Sequence, residues 1–295
     1  MPSATTPDGS REAALAGLRI VCFESRRSAE SSRLIARYGG EPIEAPSLRE
    51  VPLLGPEGLG ELEADLLVGH SLLVVLLTGV GTELLIEGLA GTRSRDDVRA
   101  LLSRPSTQIV CRGPKPHAIL KQLAVRPAVV VGEPNTWRDV LCEVDRLDLG
   151  PACRIYVQEY GRQNDELVRG LAARGSEVRR VRTYEWKLPE DLAPLASAIE
   201  RIATGDAEVA LFTSGIQLTH LRLVAERLGL TEALTTGLRR CVIASVGPLT
   251  TEALVRAGLP PDIEPEHPKL GHLIVALAQS AREKLEQKRA SERAS

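Results

Sequence analysis

The sequence has no surplus of basic charge, no CxxC pair, no glycine-rich phosphate loop and no long apolar run. Each absence removes a class of function. Net charge is −2 over 295 residues, so the broad positive field that non-specific nucleic-acid binding needs is missing. The five cysteines (Cys22, Cys111, Cys142, Cys153, Cys241) are odd in number, which speaks against a structural cross-link or redox motif. Cys22, Cys111, Cys153 and Cys241 lie in or beside apolar runs and read as small buried hydrophobes. Neither GxxxxGK[ST] nor GxSxG occurs. GVGTEL (79–84) opens like a dinucleotide fingerprint but lacks the third glycine and the later acidic residue. His70, His117, His220, His267 and His272 are scattered, and Pro268 and Gly271 between the last two make a poor ligand geometry. No metal and no other cofactor is expected. The apolar stretch 66–77 is broken by Gly69, His70 and Ser71 and is too short for a bilayer. The polar stretch Met1–Ser10, with Pro2 and Pro7, does not read as a signal peptide, so none is expected. A cytoplasmic protein with no membrane and no nucleic-acid partner is expected.

What is present is repetition. The length predicts two domains, and 43% hydrophobic with 26% charged residues fits a soluble globular protein. Two apolar runs close on hydroxyls and glycine, VVLLTGV (74–80) and VALFTSG (209–215), and Thr213 minus Thr78 is 135. The same offset lays RIVCFE (19–24) on RIYVQE (154–159), with a shared final Glu, and Gly40 on Gly175. An offset of 134 then lays Gly113-Pro114 on Gly247-Pro248, Pro127 on Pro261 and Pro134 on Pro268. A near-constant offset predicts an internal duplication of roughly 135 residues. Each copy alternates strands with helices, as in EVALF (208–212) followed by a helix over 216–229. That alternation predicts parallel sheets with helices on both faces, and near-continuous apolar strands such as LLVVLL agree. Residues 1–16 and about 286–295 are polar and are expected to be flexible or a solvated helix.

In such sheets ligands meet the carboxyl ends of the strands. Those exits read ESRRS (24–28) and EYGRQN (159–164), TGVG (78–81) and TSGI (213–216), RGPK (112–115) and VGPLT (246–250). Each precedes a helix, whose first-turn N–H groups and dipole favour an anion. Thr78, Thr213, Ser214 and Thr250 also read as helix caps, and Pro114 and Pro248 as first-turn prolines. Arg26, Arg27, Arg112, Lys115 and Arg162 gather at the same rims, and the guanidinium fork suits carboxylates. Taken together, these features predict a cleft for a polyanion. Its candidate binding residues are Arg26, Arg27, Thr78, Gly79, Arg112, Gly113, Tyr160, Gly161, Arg162, Thr213, Ser214, Gly215, Gly247 and Thr250.

The segments ESRRSAESSRLIARYGGEP, LTGVG, LFTSGIQ and SVGPLTTEALVRAGLP, in this order, resemble uroporphyrinogen-III synthases over about residues 17–280. The resemblance implies an α/β fold of two flavodoxin-like parallel-sheet domains joined by a two-strand linker. One domain would comprise 1–45 plus 190–295 and the other 54–181, with linkers at 46–53 and 182–189. A plain duplication would instead divide the chain near Asp148–Gly150. The implied activity is that of a lyase. It cyclises hydroxymethylbilane, a small linear tetrapyrrole with eight carboxylates, to uroporphyrinogen III, with loss of water and inversion of ring D. No cofactor is implied, and a monomer is expected. Tyr184, in VRTYEWKLP, corresponds to the family's tyrosine and is the candidate catalytic residue, assisting departure of the hydroxyl. TGVG departs from the family's Thr-Ser pair, which removes a hydroxyl at Gly79. The alternative reading is a non-catalytic two-domain sensor or regulator of an anionic metabolite.

Overall fold

A computed structural model of the chain describes residues 13–91, 93–150, 152–161 and 164–294. They fall into two compact units, residues 1–49 with 188–295 (unit 1) and residues 50–187 (unit 2). The chain begins with β1 (Arg19–Cys22), α1 (Ser28–Arg37) and β2 (Glu41–Glu44), and passes along β3 (Arg49–Glu57) into unit 2. There it forms α2 (Leu59–Val68), β4 (Leu72–Leu76), α3 (Gly79–Ala90), α4 (Arg95–Leu102), β5 (Thr107–Cys111) and α5 (Pro114–Gln122). β6 (Val129–Val130), α6 (Trp137–Val144), β7 (Arg154–Gly161), α7 (Asp165–Ala172) and β8 (Glu177–Lys187) complete that unit. Back in unit 1 come α8 (Ala193–Thr204), β9 (Val209–Phe212), α9 (Gly215–Leu228), α10 (Thr231–Arg240), β10 (Val242–Ser245), α11 (Pro248–Arg256) and α12 (Leu270–Ala294).

Unit 1 has the sheet order β2-β1-β9-β10, all neighbours parallel, and Ile263 adds a parallel bridge beside Ala244 of β10. Unit 2 has the order β8-β7-β4-β5-β6, again parallel, with β3 outside β8. Renumbered from the strand after which the order reverses, both sheets read 2-1-3-4-5, the flavodoxin-like arrangement. The central strands β4 (LLVVL) and β9 (VALF) are apolar throughout because both faces are covered. In β9, Val209 and Leu211 join the core under α12, while Ala210 and Phe212 join the core under α8, α9 and α10. In β4, Leu72, Val74 and Leu76 face one core of unit 2, while Leu73 and Val75, with the following Leu77, face the other. Side chains alternate across a strand, and burying each large aliphatic contributes about 1.5–3 kcal/mol.

Two features differ from the sequence reading. α10 was not expected, because only Leu234, Gly237 and Leu238 of its ten residues are buried. It packs hard on α8, and a Cβ at Gly237 would sit 2.1 Å from the Ile202 carbonyl oxygen. The lateral register also corrects the pairing of the two halves. Val75 lies opposite Val157 in unit 2, and Leu211 opposite Cys22 in unit 1. Cys22 and Val157 differ by 135 in number, so Leu211 corresponds to Val75, an offset of 136. Thr78 therefore matches Ser214, not Thr213, and Thr213 matches Leu77. Thr78 and Ser214 are the N-caps of α3 and α9. Residues 286–294 continue α12, where Lys288 reaches the Cys241 carbonyl (2.8 Å) and Asp262 (2.8 Å). The terminal stretch before residue 13 lies outside the described residues.

Cys22, Cys111, Cys153 and Cys241 are buried and Cys142 is exposed. Burial pushes the Cys22, Cys111 and Cys241 thiols up to about 12. The thiolate is the reactive form, so titrating the native protein with a disulfide reagent should label one thiol quickly, and Cys142→Ser should remove that phase.

A polar knot lies at the amino ends of the unit 2 strands, opposite the exits. Asp65 of α2 is 6% exposed and accepts from Tyr156 Oη (2.7 Å) and Arg154 Nη1 (2.5 Å), with His70 Nδ1 at 2.9 Å. Burial alone would raise its pKa, but the Tyr156, Arg154 and His70 contacts outweigh burial and bring it from 3.8 to about 2. A carboxylate with a depressed folded-state pKa adds stability above its unfolded pKa, and loses it as the pH falls through the folded one. Asp65→Asn should therefore destabilise the protein at neutral pH by on the order of 2 kcal/mol. Wild type and variant should converge between about pH 4 and 2, as chemical denaturation at a series of pH values would show.

Candidate functional site

The order of each sheet reverses beside its first strand, between β1 and β9 in unit 1 and between β7 and β4 in unit 2. Ligands bind parallel α/β sheets at such switch points.

In unit 2, Thr78 follows β4 and caps α3, its hydroxyl accepting the Gly81 N–H at 3.1 Å. The same hydroxyl lies 3.2 Å from the phenol oxygen of Tyr184 on β8. Two residues chosen from sequence on separate grounds thus meet at one strand exit. Tyr184 is 3% exposed, so its ring is packed in the core and its hydroxyl is aimed at the cap. Beneath the cap lies Gln158, fully buried on β7. Its Oε1 accepts the N–H groups of Leu77 and Thr78, both at 3.2 Å, and its Nε2 donates to the Glu159 carbonyl. Gly81 leaves the space for this side chain, since a Cβ there would lie 1.9 Å from Gln158 Nε2.

Unit 1 braces its exit in the same way with a glutamine from another element. Gln217, the third residue of α9, accepts the N–H groups of Thr213 (2.7 Å) and Ser214 (3.1 Å) and donates to the Phe23 carbonyl (3.0 Å). In the corrected register Gln217 matches Gly81, and Phe23 matches Gln158. The brace has the same job in both units, delivered from the helix in one and from the strand in the other. Gly215 lets α11 pack closely, because a Cβ there would lie 2.5 Å from Ala253 Cβ. Gly247 likewise sits against Pro268, with 2.6 Å between the added Cβ and the Pro268 Cβ. Thr250 is buried in the first turn of α11.

The exits of the first strands hold the shared acids Glu24 and Glu159, to which the sequence reading gave no role. Glu24 Oε1 accepts the N–H groups of Arg26 (3.1 Å) and Arg27 (3.3 Å), at the start of α1. Its Oε2 accepts from the Thr213 hydroxyl at 2.6 Å. In unit 2, Glu159 Oε1 accepts the Asn164 N–H (2.8 Å) and Arg180 Nη1 (2.7 Å). The helix-start donors expected to meet a ligand here are engaged by the chain's own carboxylates. Arg27 is paired with Glu30, Nε to Oε2 at 2.6 Å, and Arg26 is exposed. Arg112 is half-buried after β5, next to Gly113, which caps α5 at φ 89°. Gly79 opens α3 with Lys115 of α5 against it, at 3.4 Å from an added Cβ. Gly161 has φ 54°, and a Cβ there would lie 2.1 Å from the Trp186 ring, so glycine is required twice over. Arg162 and the side chain of Tyr160 lie outside the described residues. Among the described residues no three His, Cys, Asp or Glu side chains gather as a metal site, and no helix is long and apolar enough to cross a membrane.

Comparison with known proteins now decides the family. The model of the uroporphyrinogen-III synthase HemD family matches residues 29–275. The chain belongs to this family. A putative uroporphyrinogen-III synthase of Methanothermobacter thermautotrophicus (strain Delta H) is 27% identical over 261 residues, spanning 86% of this chain and 94% of that protein. The uncharacterized protein YjjA of Bacillus subtilis (strain 168) is 28% identical over 280 residues, 92% of this chain and 98% of that protein. Among solved structures, a mutant uroporphyrinogen III synthase from the extremely thermophilic bacterium Thermus thermophilus superposes with a TM-score of 0.67 at 23% identity, covering 91% of this chain and all of that one. A wild-type form of the Thermus enzyme gives 0.52 at 23% identity, over 91% of this chain and all of that one. The α/β architecture with two parallel sheets is thus the fold of uroporphyrinogen III synthases.

Proposed function

We propose that the chain is a uroporphyrinogen-III synthase that closes hydroxymethylbilane with inversion of ring D and loss of water, as a cofactor-free monomer in the cytoplasm. The observation that carries this reading within the family is the meeting of Tyr184 and Thr78 at the exit of β4, 3.2 Å apart. The terminal hydroxyl of the bilane leaves as water only if it receives a proton, and a positioned phenol can supply one. The substituted carbon of ring D then attacks the resulting azafulvene. The spiro intermediate opens and recloses with ring D reversed. No protein nucleophile is needed, and the larger task is holding ring D in the productive pose. At the unit 2 exit, Arg112 beside Gly113 would meet a substituent carboxylate.

The free bilane also cyclises spontaneously, without inversion, so the isomer formed reports catalysis directly. The protein should be added to a hydroxymethylbilane-generating reaction and the oxidised porphyrins separated by chromatography. Accumulation of isomer III supports the assignment. If isomer I alone forms, at the spontaneous rate, the assignment fails and the non-catalytic sensor of an anionic metabolite takes its place.

A further inference from the structure

Glu159 and Glu24 hold matching places in the two units, 135 residues apart and each at the end of the first strand of its sheet. Their surroundings differ at one atom. Glu24 Oε2 receives the Thr213 hydroxyl at 2.6 Å. The register places Leu77 where Thr213 would be, two residues beyond the pairing of Val75 with Val157. Leucine has nothing to donate. Glu159 Oε2 is accordingly buried with no hydrogen-bond partner among the described residues, in a side chain 2% exposed. An ionised carboxylate strongly disfavours such a place, and a protonated one tolerates it.

We infer that Glu159 is the group through which the unit 2 exit takes up a proton from solvent when an anionic ligand binds there. The inference rests on the functional reading above. The charged groups facing Glu159 among the described residues are Arg180 and Arg182 on β8, and Arg180 is shared with Asp165 of α7 at 2.7 Å. The Asn164 N–H faces it from the start of α7. Burial raises the Glu159 pKa against the opposing pull of the Asn164 N–H and of Arg180 and Arg182. Negative charge arriving at the exit raises it further. The proton comes from water or buffer and settles on Oε2, the oxygen without a donor. Glu24, with both oxygens satisfied, does not take part.

The test is calorimetric titration of the full chain with uroporphyrinogen III under anaerobic, mildly acidic conditions, in two buffers of different ionisation enthalpy. Wild type should take up a measurable fraction of a proton per ligand bound. Glu159→Gln should abolish the uptake, and Glu24→Gln should leave it unchanged. Leu77→Thr, which offers Glu159 the hydroxyl that Glu24 enjoys, should diminish it. Binding without proton uptake in wild type, or uptake that persists in Glu159→Gln, overturns the inference. If the tetrapyrrole does not bind at all, the functional reading falls instead. The proton site is then read from the carbon-13 shift of the Glu159 carboxyl in the ligand-free chain, assigned by its loss in Glu159→Gln. It should titrate above the usual glutamate range and move down in Leu77→Thr. A midpoint in the ordinary range, or one indifferent to Leu77→Thr, overturns the inference.

Discussion

Gly81→Ala should unfold several degrees below wild type, although alanine is the better helix former by about 1 kcal/mol. The added methyl would stand 1.9 Å from Gln158 Nε2 and 2.4 Å from its Cδ. Gln158 is fully buried and tied to Leu77 N–H and Thr78 N–H, so it cannot swing away without orphaning two donors. Overpacking of this kind costs about 1–3 kcal/mol, and each orphaned buried donor adds about 1–3 kcal/mol. These outweigh the gain in helix propensity. Gly81→Gln alone should be worse still. Combined with Gln158→Ala, it should recover much of the loss, because the amide would then come from the third position of the helix, as Gln217 does in unit 1. Thermal melts of the three variants decide the matter. A double variant no better than Gly81→Gln would show that the two braces are not interchangeable.

Tyr184→Phe should form isomer III at least about 100-fold more slowly than wild type, the lower end of the contribution of a positioned acid, while melting within a few degrees of it. Uncatalysed closure would then compete, so the ratio of isomer III to isomer I should fall. Thr78→Ser keeps a hydroxyl at the cap position and should retain most of the rate. Thr78→Val removes both the contact with the phenol and the helix cap, the latter worth about 1 kcal/mol, and should lose rate and stability together. Full inverting activity in Tyr184→Phe would remove the phenol from the chemistry and leave it a packing residue of β8.

The alternation of apolar strands with amphipathic helices, and the hydroxyls at their exits, could be read from the sequence because both follow from local period and composition. The pairing of Thr78 with Thr213 could not be corrected there. Both runs end in threonine, and residue identity favoured that match by one position over the one the backbone register adopts. The braces were invisible for a related reason. Gln158 lies on a strand and Gln217 on a helix, so no alignment of the halves superposes them, and only their shared targets show the kinship. Glu24 and Glu159 could be seen as a repeated final Glu. That they turn back onto the amides of their own exits depends on lateral neighbours, Thr213 in one unit and Leu77 in the other, which sequence spacing does not display. Gly215 shows a further limit. A glycine at a strand exit serves a ligand or a packed helix equally well by sequence, and the close approach of Ala253 is known only from the packing.

The discontinuity of unit 1 sets an order on its birth. Ile20 pairs with Val209, a partner synthesised 189 residues later, whereas every strand of unit 2 lies within one uninterrupted segment. Domains tend to form as the chain leaves the ribosome. Unit 2 can therefore mature while β1 and β2 remain without a sheet to join, and a nascent chain stalled before β9 emerges would display a finished unit 2 together with an uncovered, apolar β1.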